Sequence, residues 1–317
     1  MALDKFSDYL ALTEKGVNRD NAMVERRLAK MYRDTYKQVN QEIADLYARL
    51  GDKMTLPEAQ KYKRLEAIQA SLKAQYAKLT GKALNIAIDT SAQNYTEAFE
   101  RYAWAMDQAV GINLAWSVIP VDAIRASVFS EYSGLNIVKT FKKNMLIELA
   151  KLQAALTRGI ASGRGYAKTA AELKNLFNNG YNDAIRVVRT EAGRNYTEGE
   201  LLAYDNARDM GINVRNMWNA TRDGRTRNDH GRLDGTFPDE NGDFKTPTGG
   251  KGPGPGLMQN AADDINCRCR LTGEIDGLPP EMMRVRGEGE IPYQTFSQWA
   301  EPKGWTADKG WPKTKLV

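Results

Sequence analysis

Three side chains stand out as able to act together: His230, the only histidine in 317 residues, and the two cysteines, Cys267 and Cys269. The cysteines are two positions apart, so on an extended chain both sulfurs can face one point. A disulfide directly between them would close a very small, strained ring, and a reducing cytosol would open it. Two thiolates and an imidazole are what Zn²⁺ selects, with a fourth ligand needed to close a structural site. The metal-free alternative is a clasp in which hydrogen bonds hold the two loops and the thiols behave as small hydrophobes. A lone histidine suits neither paired-imidazole chemistry nor the two or three histidines typical of zinc hydrolases.

Other polar residues crowd the same stretch. Asp223, Arg225, Arg227, Asp229 and His230 fall in one loop after an apolar strand, and the cysteines follow about 40 residues later. Arg189 and Glu191 lie upstream on a helix, where an ion pair would tie down the Arg/Asp-rich loop. As a general acid or base, Glu191 would need a raised pKa in a cleft. Asn228-Asp229-His230 beside Asp234 is loosely similar to metal-dependent nuclease loops, although no second carboxylate-rich strand accompanies it. Trp218 is expected in the core beneath the loop.

The elements that must position these residues are mostly helical. From Met23, the apolar residues Val24, Leu28, Met31, Val39, Ile43, Leu46 and Leu50 follow a 3.6-residue period that ends at Gly51. A capping box, Thr55-Leu56-Pro57-Glu58, precedes a second helical face through Leu65, Ile68, Leu72, Tyr76 and Leu79, which closes at Gly81. A third segment runs from about Lys82 to Met106. Helical periodicity resumes from Val121, with Gly159, Gly163 and Gly165 as a turn between helices and Asn178-Asn179-Gly180 as a stop. Ala184 to Met210 reads as a further helix halted by Gly211, and Val214, Met217 and Trp218 as a short strand. Lys245 to Gly256 holds five glycines and three prolines and reads as an exposed, mobile loop. The stretch after Leu278 carries Trp299, Trp305 and Trp311 on Pro- and Gly-rich sequence, so it either folds back or docks through its indole rings.

Composition narrows the class. A net charge of +5 from 45 basic and 40 acidic residues allows nucleic-acid contact without requiring it. No run approaches the roughly 18 apolar residues of a membrane span, and the N-terminus has no secretory pattern. A chain made in the cytoplasm with no membrane partner is the expectation.

Arg189-Thr190-Glu191, Trp218-Asn219-Ala220-Thr221-Arg222-Asp223, Arg225-Thr226-Arg227, His230 with Leu233-Asp234-Gly235, Pro253-Gly254 and Ile265-Asn266-Cys267-Arg268-Cys269 follow in that order. In this order they resemble the C-terminal module of the Mu F-like phage head-morphogenesis proteins. The resemblance implies a minor capsid protein of a tailed phage, not an enzyme, that associates with portal, major capsid or scaffolding protein. It would be present in the host cytoplasm during assembly and then in the virion near the portal vertex, with contact to packaged DNA and a part in DNA packaging or ejection allowed. A nuclease or a DNA-binding packaging factor is the alternative. Relatives look like C-x-x-C in the first loop and H-x-x-C-R-C in the second. Here Arg227 replaces the first cysteine, His230 the second, and Asp264 the histidine, so the resemblance implies His230, Asp264, Cys267 and Cys269 as a structural zinc set. The expected fold is mainly α with an α+β C-terminal module. Its blocks are a helical arm (1–120), a helical domain (121–182), the module (183–277) and an extended Trp-rich tail (278–317). Arm and tail are the expected docking parts.

Overall fold

A computed structural model describes residues 6–52, 54–60, 63–110, 114–131, 136–275, 282–285 and 289–292. Its helices are α1 (Phe6–Leu50), α2 (Leu56–Gln60), α3 (Arg64–Val110), α4 (Val121–Phe129), α5 (Ile137–Ala161), α6 (Tyr166–Asp209), α7 (Asn228–Leu233) and α8 (Ala261–Asp264). The strands are β1 (Val214–Asn219), β2 (Phe244–Lys245), β3 (Lys251–Gly252), β4 (Arg270–Ile275), β5 (Met282–Val285) and β6 (Gly289–Pro292). The fold is mainly α with a small α+β module toward the C-terminus.

Two compact units arise from alternating stretches of chain. One comprises Ala22–Ile88 and Asn136–Val188, and the other Met1–Asn21, Asp89–Leu135 and Arg189–Val317. This division is interleaved, where the sequence reading runs in consecutive blocks.

The first unit is helical. Leu28 and Ile43 of α1, Leu72 and Tyr76 of α3, Leu152 and Leu156 of α5 and Phe177 of α6 form its core. The capping box forms as read: Glu58 Oε2 accepts from Thr55 N and Oγ1, both at 2.7 Å. Asn136 caps α5 by accepting from Val138 N and Lys139 N. Three boundaries differ from the sequence reading. α1 starts at Phe6 instead of Met23, α3 passes through Gly81, and α6 passes through Gly180. Helix propensity alone made these glycines look like stops, but a glycine inside a long packed helix costs only about 1 kcal/mol. Gly180 has a packing reason to be small, since a Cβ there would lie 2.5 Å from Tyr76 Oη and 2.7 Å from Glu148 Oε2.

In the second unit, Val17, Phe99, Tyr102, Met106, Tyr196 and Tyr204 gather around the strands. β1 and β4 pair antiparallel, with Val214 opposite Ile275 and Trp218 opposite Leu271. Tyr102 donates its hydroxyl to Leu271 O at 2.9 Å, fastening α3 to β4. Gly211, with φ of +84°, ends α6 in the left-handed conformation that glycine favours, and the chain turns into β1. β2 pairs with β3, and β5 with β6, so the segment read as an extended tail opens with a hairpin.

The Gly/Pro-rich loop is exposed at 245, 247–249 and 251 but is not the wholly exposed segment expected. Gly250, Gly252 and residues 254–258 are buried. Lys251 N donates to Met258 O at 2.8 Å and Thr246 N to Gly250 O at 2.9 Å. Its glycines allow close approach: a Cβ on Gly252 would lie 1.8 Å from Leu257 O, and one on Gly250 would lie 2.2 Å from Asp263 Oδ2.

Candidate metal centre

β1 delivers Trp218 into the core, and α7 places His230 beside it, edge to face at 5.3 Å between ring centroids. The imidazole is 1% exposed. On the other side of the Gly/Pro loop, Asn266 takes a positive φ of +57° and donates its N–H to Thr190 Oγ1 of α6 at 2.8 Å. That turn brings Cys267 and Cys269 to His230 just ahead of β4. Cys267 Sγ lies 3.5 Å and Cys269 Sγ 3.6 Å from His230 Nδ1. The three donor atoms all lie within 4.8 Å of one another, and all three residues are buried.

The opposite edge of the ring faces a carboxylate. His230 Nε2 is 3.4 Å from Asp263 Oδ1. Thr246 Oγ1 donates to Asp263 Oδ2 at 2.8 Å, and Thr248 Oγ1 donates to the same carboxylate at 2.8 and 3.0 Å. Asp264, the residue that the family pattern puts in the ligand set, is directed elsewhere. Its Oδ1 accepts from Met258 N at 2.8 Å and its Oδ2 from Asn260 N at 3.0 Å. The two residues share the short helix α8, where neighbours point about 100° apart, so only one can face His230.

Charge in this cluster is shared. The hydrogen bond from Cys269 and the neighbouring imidazole, acting against burial, hold the Cys267 thiol well below its usual value. The Cys267 sulfur, together with burial, pushes the Cys269 thiol well above its usual value. Burial disfavours the charged imidazole, yet the Cys267 contact leaves the His230 pKa raised.

The donor set fits a zinc-like cation. With Zn–S near 2.3 Å and Zn–N near 2.0–2.1 Å, a tetrahedral N···S edge is about 3.6 Å, close to both separations found here. A single imidazole nitrogen offers one proton or one lone pair, so it cannot satisfy both sulfurs equally by hydrogen bonding. A cation at the centre would satisfy all three donors.

The surrounding polar residues form a clasp. Arg268 donates to Asp223 through both terminal nitrogens, Nη2 to Oδ1 at 2.7 Å and Nη1 to Oδ2. Arg225 is exposed and pairs with Asp223 at 3.4 Å. Asp234 is buried, its Oδ2 accepting from Arg222 Nη2 at 2.9 Å and its Oδ1 from Ala220 N at 2.7 Å. Gly235 N donates to Trp218 O at 2.9 Å, tying the end of this motif to β1. Arg227 Nη2 donates to Ile265 O at 2.6 Å. Asp229 pairs with Arg232 at 3.9 Å within α7.

Glu191 departs from its expected role. Its partner is Arg194, at 2.8 Å, and Arg194 also reaches Ser127 O and Ser130 Oγ, so the pair anchors the end of α4 instead of the 222–230 loop. Burial raises the Glu191 pKa while Arg194 opposes the rise. Arg189 is exposed, and Thr190 between them makes the tie to the cysteine loop. Sequence reasoning missed Asp263, Thr246, Thr248 and Arg194. The adjacent pair Asp263-Asp264 was the one available signal for the first. Trp299, Trp305 and Trp311 lie outside the described residues.

Residues 150–272 match the family model described as Phage Mu protein F like protein. The chain is 30% identical over 290 residues to Minor head protein GP7 of Bacillus phage SPP1, covering 88% of this chain and 92% of that protein. It is 28% identical over 210 residues to NAD(+)--arginine ADP-ribosyltransferase EFV of Enterococcus faecalis, covering 66% of this chain but 43% of that protein. No solved structure matches. The chain belongs to the Mu F-like family and is a phage head protein. Among the described residues, no helix is long and apolar enough to cross a membrane.

Proposed function

We propose that this chain is a minor head protein that works in assembly through contacts with portal and with major capsid or scaffolding subunits, and not by catalysis. The observation that carries the reading is the alignment with the SPP1 minor head protein, which spans 92% of that protein's length. The pairing within the module supports it. Asp223, Glu191 and Asp234 are each engaged by an arginine, and His230, Cys267 and Cys269 are buried. Carboxylates committed in this way are poorly placed to hold a substrate. The transferase activity named for the Enterococcus protein belongs to a chain of which this one covers less than half. On this reading the protein collects in the host cytoplasm and enters the head near the portal vertex, within reach of packaged DNA, and the N-terminal arm and the Trp-bearing tail supply docking surfaces.

The test is co-purification. Tagged protein made during infection should bring down portal protein and be recovered in purified heads. Recovery of neither portal nor head subunits would overturn the assignment. Divalent-metal-dependent DNA cleavage that is lost in His230→Ala would replace it with the nuclease reading.

A further inference from the structure

We propose that His230 Nδ1, Cys267 Sγ and Cys269 Sγ bind one zinc-class divalent cation, and that Asp263 is the carboxylate that positions the histidine for it. The proposal stands on geometry and is independent of the head-protein reading. The two N···S separations, 3.5 and 3.6 Å, match each other and the edge of a zinc-centred tetrahedron, about 3.6 Å. Thiolate and imidazole donors select zinc over magnesium or calcium, which take oxygen ligands.

Asp263 supplies the outer half of the site. Its Oδ1 lies 3.4 Å from Nε2, on the ring edge away from the sulfurs. An Nε2–H donated to this carboxylate leaves the lone pair on Nδ1, aimed at the sulfurs, which is the carboxylate–histidine–metal arrangement that fixes ligand tautomer and orientation. Thr246 and Thr248 hold the carboxylate in place with their hydroxyls. The Gly/Pro-rich loop is thereby drawn into the centre, and the close approach at Gly250 to Asp263 explains why a side chain there is not accommodated. Asp264 places no oxygen within 4.8 Å of all three donor atoms, and both its oxygens accept backbone N–H groups. Among the described residues, three protein donors meet at this point.

The experiment uses the full chain, purified under reducing conditions, equilibrated with Zn²⁺ and stripped of loose metal on a chelating resin. One zinc per chain is expected. Co²⁺ in its place should give thiolate-to-metal charge-transfer absorption and the intense visible bands of a tetrahedral centre. Cys267→Ser and Cys269→Ser should each lose stoichiometric metal, with retained helical circular dichroism as the check that the variants are folded. Asp263→Asn should keep the cobalt spectrum and the helical signal but bind zinc about 10–100-fold more weakly. A folded wild-type chain that retains no stoichiometric zinc or cobalt overturns the site, as does a cobalt spectrum without thiolate bands. Wild-type zinc affinity in Asp263→Asn overturns its positioning role.

Discussion

Asp223 and Arg268 meet as a two-pronged ion pair that joins the loop after β1 to the loop before β4. Charge-assisted pairs of this form are about twice as strong as neutral hydrogen bonds. Asp223→Ala should therefore cost about 1.5–3 kcal/mol in denaturant unfolding followed by tryptophan fluorescence. A loss within error of zero would mean that the loops are held by other contacts. Burial works against the Asp223 carboxylate, but Arg268 and the Arg225 N–H bring its pKa down to about 2. A depressed carboxylate stabilises the fold above its unfolded pKa, here 3.8, and that contribution disappears as pH falls toward 2. At this scale the sequence was informative where spacing decides direction. Cys267 and Cys269 are two apart, a spacing that lets both sulfurs face one point, and both reach His230. It was uninformative between Asp263 and Asp264, because a single turn of helix rotates one toward the imidazole and the other toward the backbone.

Helix α5 carries a buried acid into the helical unit. Glu148 is set among Tyr76, whose hydroxyl donates to it, and Asp183, while Lys151 offers a weaker opposing charge. Burial is the main cause that lifts its pKa from 4.5 to about 7. A raised carboxyl contributes full stability below its unfolded pKa and loses that contribution as pH rises through the folded value. The thermal midpoint of the helical signal should accordingly fall between about pH 4.5 and 7 on this account, and Glu148→Gln should flatten that slope. An identical slope in the variant would assign the pH dependence to other groups. Gly252 is a second test, in the β2–β3 hairpin. Its would-be Cβ collides with the Leu257 carbonyl, so Gly252→Ala should cost about 1–3 kcal/mol by displacing backbone. The apolar spacing along α1, α3 and α5 showed in the sequence because 3.6-residue periodicity survives any tertiary arrangement. Gly81, Gly180 and the 245–256 loop were misread because composition cannot distinguish a glycine that ends an element from one that makes room for a neighbour.

Over the whole chain, α1, α3 and α6 each contribute residues to both compact units, which change over within these helices near 21, 88 and 188. Neither unit is a contiguous piece of sequence. A chain ending at residue 188 would retain every segment of the helical unit but lose Tyr196, Tyr204, Trp218 and Leu271, the partners that cover Phe99, Tyr102 and Met106. Such a chain should keep cooperative helical unfolding while binding a hydrophobic dye strongly at its α3 end. Dye binding no greater than in the full-length protein would show that those side chains find other cover. Interleaving of this kind is invisible to a reading that runs in consecutive blocks, because it is set by long-range contacts and not by local pattern.

The split arrangement also has a consequence for synthesis. The ribosome releases Val17, Phe99, Tyr102 and Met106 long before Trp218, Cys267 and β4, which share their core. That part of α3 therefore leaves the exit tunnel with Leu114, Trp116 and Ile119 close behind it, while Tyr196, Tyr204 and the strands that complete its cover follow only later. In an infected cell making many copies at once, that waiting period is when neighbouring nascent chains would be most prone to associate with one another.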